Sequence, residues 1–251
     1  MLPVAAMRSL LIALALLASA SVAHAQDVDH RPGVWGGAFF NDTLDGALPK
    51  GMGPHLWFDL HLRQRPPGTD DGAGSFLTII RPGVGFAFAP WLKVDVGYAW
   101  VGAFSAYGPS AASEHRAWSH VLLGGTVGPL KLSFRPRFEL RFDSARPQVG
   151  VRVRTFGRMN VNVSKPVYIP LWIEAFWQTN TYGALGPGLE ENRGFVGVGF
   201  KPAPWMAAEL GYMNRWIPAT TNPAGAQMQH TALVVPSFSP DLTLKPKAAT
   251  G

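Results

Sequence analysis

The stretch from Leu130 to Phe142 carries the plainest polarity pattern in the chain. Leu130, Leu132, Phe134, Pro136, Phe138, Leu140 and Phe142 fall on one parity, and Lys131, Ser133, Arg135, Arg137, Glu139 and Arg141 on the other. A period of two belongs to a β-strand, and no helix reproduces it. Pro136 has no N–H to give to a ladder, so a local irregularity is expected there. The same alternation appears in a hairpin that is written twice. Gly83–Tyr98 reads GVGFAFAPWLKVDVGY and Gly197–Tyr212 reads GVGFKPAPWMAAELGY, identical at nine of sixteen positions. Each copy is a strand, an Ala-Pro-Trp turn and a returning strand, with glycine opposite the large residues and Asp95 matched by Glu209.

Extending that rule along the chain gives ten strands from His55 onward. Leu56, Phe58, Leu60 and Leu62 alternate with Trp57, Asp59, His61 and Arg63 before the loop QRPPGTDDGAG. The first repeat hairpin follows (76–104), then the loop SAYGPSAASE, a strand at 115–127, the strand at 130–142, the loop DSARPQ and a strand at 149–163. Next come Ile169–Asn180, the loop TYGALGPG, the second hairpin (190–216), the loop PATTNPAGA and a last strand at 227–238. Joins at Ala89-Pro90, Gly128-Pro129, Lys165-Pro166 and Ala203-Pro204 are tight, and the joins between them run to six to eleven residues.

Short turns at one end and long loops at the other are the mark of an outer-membrane barrel. The expected fold is therefore all-β: an antiparallel transmembrane β-barrel of ten strands, within a range of ten to twelve, over residues 54–238. Trp91, Tyr98, Trp100, Trp205, Tyr212 and Trp216 near strand ends suit interfacial girdles. Residues 26–53 form an N-terminal segment in which Val34–Leu44 is a possible extra strand, and 239–251 a tail beyond Phe238. Periodicity also fits the opposite arrangement, a soluble lipocalin-like barrel with its apolar rows inward. Loop asymmetry, strand length and the aromatic ends favour the membrane.

Composition sharpens the location. Arg8, the apolar run Ser9–Val22 and Ala23-His24-Ala25 have the form of a secretory signal cleaved after residue 25. There are no cysteines among 251 residues, so no disulfide or thiol chemistry is available to an exported chain. Past the signal no apolar run is long enough for a transmembrane helix. Glycine and proline together make 50 residues and aromatics 12%, which suits strands and turns. The 22 Lys/Arg against 16 Asp/Glu are dispersed along strands and not grouped with exposed aromatics, so nucleic acid is not an expected partner.

The polar positions form an ordered series: Glu114-His115-Arg116-Ala117-Trp118, Arg135-x-Arg137-x-Glu139-x-Arg141-Phe142, Arg152-x-Arg154, Glu174-x-Phe176, Asn192-Arg193, Gly197-Val198-Gly199, Gly211-Tyr212 and His230. This order and spacing resembles the domain of unknown function 2490 family, regarded as outer-membrane β-barrels of Gram-negative bacteria, over residues 34–238. The resemblance implies a fold and a location, with outer-membrane lipid and the barrel-assembly machinery as partners, and transfers no catalytic residue.

With lipid outside, the expected lumenal charge network is Arg116, Arg135, Arg137, Glu139, Arg141, Arg152, Arg154, Glu174, Arg193 and Glu209, flanked by Arg63, Lys93, Asp95, Lys131, Arg158 and Arg215. Two readings stay open: a structural network that fills a narrow barrel, or an anion-preferring passage or acidic-ligand site. A lipid-acting hydrolase would need a nucleophile and a base, and Ser119-His120 with Asp59 or His61 supplies the residue types. Neighbours on a strand point to opposite faces, however, so Ser119 and His120 do not share one site. Asp59-x-His61 sets two metal-capable groups on one face without an evident third ligand, and Gly194-x-x-Gly197-x-Gly199 lies inside a strand, unlike a dinucleotide loop. The expectation is a monomer with no cofactor, no metal and no enzymatic activity.

Overall fold

In a computed structural model the chain forms eleven strands. These are β1 (Asp29–Thr43), β2 (Gly53–Gln64), β3 (Phe76–Ala89), β4 (Leu92–Phe104), β5 (Ser113–Val127), β6 (Leu130–Asp143), β7 (Gly150–Asn162), β8 (Val167–Gln178), β9 (Gly188–Ala203), β10 (Met206–Ile217) and β11 (Gln227–Phe238). The structure describes residues 28–44, 46, 48–64, 76–104, 113–220 and 225–240. The signal, much of two of the long loops and most of the C-terminal tail lie outside the described residues.

Each strand pairs with its chain neighbour in antiparallel register, and β1 pairs with β11 to close the sheet into a barrel. The count is eleven, within the expected ten to twelve, because the possible extra strand at 34–44 is part of the wall. An odd number of alternating strands leaves first and last running the same way, so the closing pair is parallel, from Asp29↔Gln227 to Phe40↔Phe238. The strict alternation of connection lengths breaks at the same place. Thr43 sits opposite His55, so the nine-residue join 44–52 lies at the end of the barrel that holds the tight turns 90–91, 128–129 and 204–205. Within β6 the ladder to β5 passes from His120↔Arg137 to Leu123↔Phe134, with the interruption at Pro136.

The two faces of the wall differ in kind. Phe58, Phe134, Phe138, Phe142, Ile173 and Val198 point outward, and Val84 and Leu210 are 59% and 62% exposed. Facing inward, Asp59, Asp95 and Glu139 are 0% exposed. The lumen also holds apolar matter. Trp35, Phe195, Met213, Leu233 and Val235 pack together on the β1, β9, β10 and β11 side, and Trp57, Ala99 and Trp118 on the side of β2, β4 and β5. Phe39 of β1 touches both groups.

The duplicated hairpin explains its glycines. Gly83 and Gly97 pair across β3 and β4, and the Trp118 indole lies flat over them. A Cβ at Gly83 would come within 2.3 Å of Trp118 Cη2, and one at Gly97 within 2.4 Å of Cζ2. In the second copy Gly197 pairs with Gly211 and the ring above is Phe195, 2.7 Å from a Cβ at either position. Glycine is needed here because a lumenal ring rests on bare backbone and the neighbouring strand's carbonyls lie as close, Pro82 O at 2.3 Å from a Cβ at Gly97 and Val196 O at 2.3 Å from one at Gly211. On the outer face each copy places a tyrosine against a histidine of the next strand, Tyr98 with His115 and Tyr212 with His230.

Gly97→Ala should therefore lower the unfolding midpoint of the folded barrel, since overpacking costs about 1–3 kcal/mol. Gly125→Ala, where an added Cβ meets nothing within 4 Å, should leave it close to wild type. Equal midpoints in denaturant titrations would remove the ring-seating role.

Candidate functional site

Parity delivers the charges and register pairs them. β6 and β7 align Glu139 with Arg152 and Arg137 with Arg154. The Glu139 carboxylate accepts from Arg152 at 2.5 Å and from Arg154 at 2.7 Å, and Arg137 lies 3.8 Å away. Arg154 also donates to Glu174 of β8 at 2.6 Å, and Arg135 and Arg193 approach the same carboxylate at 3.6 Å. Arg152 and Arg141 meet again at Glu190 of β9, at 3.1 and 3.2 Å. Arg141 further donates to Glu114 at 2.8 and 3.0 Å, a bidentate pair, and Arg116 joins the same carboxylate. Nine of the ten charges expected in the network thus form one connected web across β5 to β9. Glu209 stands apart near the tight-turn end, held by Arg158 and by the Tyr168 hydroxyl at 2.6 Å.

At mid-height the lumen is crossed. Arg135 of β6 stacks 5.1 Å from the Trp57 ring of β2 and 4.7 Å from Phe156 of β7. Arg137 lies 4.6 Å from Trp118 and donates from Nη2 to His120 Nδ1 at 3.0 Å. His120 Nε2 and His55 Nδ1 each donate to Asp95 at 2.7 Å. Asp59 is engaged by Arg81 at 2.8 Å, Trp57 Nε1 at 2.7 Å and His61 at 3.0 Å. These partners occupy the carboxylate that could otherwise have joined His61 on a metal. Among the described residues no group of three His, Cys, Asp or Glu could hold an ion. His120 faces the lumen, whereas Ser119 lies on the other face of β5.

Toward the long-loop end the web opens into a cavity of about 290 Å³. Its arginines are Arg63, Arg81 and Arg116 from β2, β3 and β5, Arg141 and Arg146 from β6 and the loop after it, Arg152 and Arg154 from β7, and Arg193 and Arg215 from β9 and β10. Its acids are Glu114, Asp143, Glu190 and Glu191. Nine cations therefore face four carboxylates. The loop after β8 lays Tyr182 against this region, 4.7 Å from Arg141 and 4.5 Å from Arg146. Burial pushes the Tyr182 phenol up to about 12, with Glu114 adding to the shift.

Several partners escaped the sequence reading. Arg81 shares the parity of Gly83 and Gly85, so alternation alone marks it as lumenal, as it does His55 and His120. Glu190 and Glu191 carried no such signal. A register shift beside Phe176 and Trp177 puts a bulge at this point of β9, and two successive acids both reach inward. Trp35 was missed because β1 shows no clean alternation.

The chain belongs to the family described as protein of unknown function (DUF2490), whose model matches residues 33–226, from β1 to the connection before β11. It is also 28% identical over 229 residues to an uncharacterized protein of Methylorubrum extorquens AM1, covering 89% of this chain and 93% of that one. No solved structure matches it.

Glu139→Gln keeps the shape and removes the charge between two buried arginines. The barrel should lose about 3 kcal/mol of stability, because Arg137 loses its one carboxylate among the described residues while Arg152 and Arg154 each lose one of two. Adding Arg152→Gln should recover part of the loss. Denaturant midpoints for the single and double variants test both statements, and an unchanged single variant would dismiss the web as a stabilising element.

Proposed function

We propose that this member of the family is an outer-membrane β-barrel of a Gram-negative cell, exported by its N-terminal signal and acting as a closed structural barrel with an arginine-rich chamber at one end. The observation that carries the location is the inversion of polarity across the wall, with Val84 and Leu210 largely exposed and Asp59 and Glu139 fully buried. Soluble monomers rarely present contiguous apolar surface beyond a few hundred Å², whereas acyl chains solvate such rows at no cost. Lipid also demands that backbone N–H and C=O groups be paired internally, and a sheet closed through β1 and β11 meets that demand. The tight turns would then face the periplasm and the long loops the cell exterior.

The occupied mid-height favours a closed barrel over a diffusion pore. Arg135 packs between Trp57 and Phe156, and Arg137 against Trp118, beside the two apolar clusters, so large side chains take up the width of the lumen there. A hydrolytic role draws no support, since Ser119 and His120 lie on opposite sides of the wall.

Fractionation and electrophoresis test the location. The mature protein should appear in the outer-membrane fraction, require detergent, and migrate faster unboiled than boiled. A protein freely soluble without detergent would overturn the assignment. Planar bilayers test the closed state: recordings should stay silent, and steady discrete conductance would replace the structural reading with transport.

A further inference from the structure

Three guanidinium groups that line the chamber gather around one indole behind them. Arg63 of β2, Arg193 of β9 and Arg215 of β10 lie 4.2, 5.0 and 5.9 Å from the ring centre of Trp35, which β1 supplies. Glu191 serves two of them, accepting from Arg193 Nε and, at 2.6 Å, from Arg215 Nη2. Arg193 otherwise reaches only toward Glu174, which Arg154 already holds at 2.6 Å. Among the described residues Arg63 has no carboxylate within ion-pair distance, its side chain is more than nine-tenths buried, and its Nε has no hydrogen-bond partner. The three cations therefore carry one dedicated carboxylate between them and keep a surplus of two charges at the wall of a 290 Å³ cavity.

We infer that this cluster is a binding site for a small phosphate-bearing anion, gripped by Arg63, Arg193 and Arg215 on the Trp35 platform. Buried cations without partners are costly, and the surplus calls for a counter-charge that the described residues do not provide. A phosphate monoester carries roughly −1.5 to −2 at neutral pH, which matches the surplus, whereas a monocarboxylate would leave half of it. Guanidinium forks bind phosphate oxygens in pairs, and stacking on the indole holds the Arg63 fork in a fixed plane. The cavity lies at the lower end of the about 300–1,000 Å³ typical of small-ligand sites. That volume admits a diphosphate, a sugar phosphate or the phosphate headgroup of a glycolipid. The inference concerns the lumen alone and does not rest on where the barrel resides.

The test uses the full mature chain folded in an uncharged detergent and titrated with inorganic pyrophosphate at constant ionic strength, followed by calorimetry and by the unfolding midpoint. Binding should saturate and raise the midpoint. Arg63→Gln should weaken it roughly ten- to a hundred-fold, the worth of a charge-assisted hydrogen-bond pair. Without anion the same variant should unfold no earlier than wild type, because it removes a cation that lacks a partner; a merely structural arginine would lower the midpoint. Arg63→Lys, which keeps the charge and loses the fork, should bind with intermediate affinity and serves if the glutamine variant fails to fold. Lys131→Gln removes one lumenal charge at the opposite end and should keep wild-type affinity. A parallel arm with mixed micelles of a phosphorylated glucosamine glycolipid separates the sources: tighter binding there assigns a headgroup, and tighter binding of pyrophosphate assigns a free solute. A response no larger than that to sodium chloride, equal loss in Lys131→Gln, or wild-type affinity in Arg63→Gln would overturn the site.

Discussion

Most charges in this lumen meet a counter-charge on another strand across a narrow space, and that constraint orders the rest of the barrel. Glu139 is its centre. Fully buried, it accepts from the residue opposite it in register, Arg152, and from the diagonal neighbour Arg154. A one-residue slip of β6 against β7 would turn the whole row of phenylalanines inward and the arginines outward, so the ion pairs and the register enforce one another. The bulge in β9 obeys the same constraint. Regular alternation would send one of Glu190 and Glu191 outward. The bulge turns both inward, where Glu190 takes Arg141 and Arg152 while Glu191 takes Arg193 and Arg215. Such an irregularity re-aims a side chain that the ladder would misplace.

Closure is the second constraint. Ten strands from β2 to β11 would leave two edges, each a row of unpaired N–H and C=O groups. β1 covers both, antiparallel to β2 and parallel to β11. Its direction sets what it can contribute. Running from the long-loop end to the tight-turn end, it brings Trp35 beneath the arginines and Phe39 between the two apolar clusters. On the outside the parallel seam is spanned by His30 and His230, stacked 5.2 Å apart and joined at 2.9 Å. The strand that completes the wall therefore also furnishes the ring against which three of the chamber's arginines rest.

Parity made most of the architecture legible in the sequence, because a strand with one apolar face writes its orientation at every second residue. Strands β2 to β11 follow from that alone, as does the lumenal placement of Arg135, Arg137, Glu139, Arg152 and Arg154. Parity cannot name partners, since those depend on register and on contacts across the barrel. That Arg158 reaches Glu209 three strands away, or that Asp95 is shared by His55 and His120, has no local signature. β1 was obscured for another reason. Gly33, Gly36 and Gly37 interrupt its alternation, and its lumenal face carries Trp35 and Phe39 where other strands carry charge. Pairing on both edges, and not an intrinsic pattern, makes this segment a strand. The repeated glycines were visible as a motif, yet their purpose depends on Trp118 and Phe195, which lie outside the stretch where the two copies match.

The distribution of charge along the axis distinguishes a brace from a site. Around Glu139 and Glu174, arginines and carboxylates interlock: each carboxylate serves three arginines, and Arg152, Arg154 and Arg193 each reach two carboxylates. At the tight-turn end Lys93, Lys131 and Lys201 lie near the ion pair of Arg158 with Glu209, and Asp95 and Asp42 face Lys93. At the other end nine arginines face four acids, and even with Asp59, Glu139 and Glu174 behind Arg81, Arg152 and Arg154 the cations outnumber the carboxylates nine to seven. If charge served only to fill the lumen, balance would be the cheaper arrangement everywhere, since each unpaired buried cation weighs against folding. Surplus appears instead where the wall opens and solvent or solute can supply the missing anion. A basic mouth at each end flanks a neutralised, aromatic-packed middle, so the field that draws anions is strongest at the openings and weakest between them.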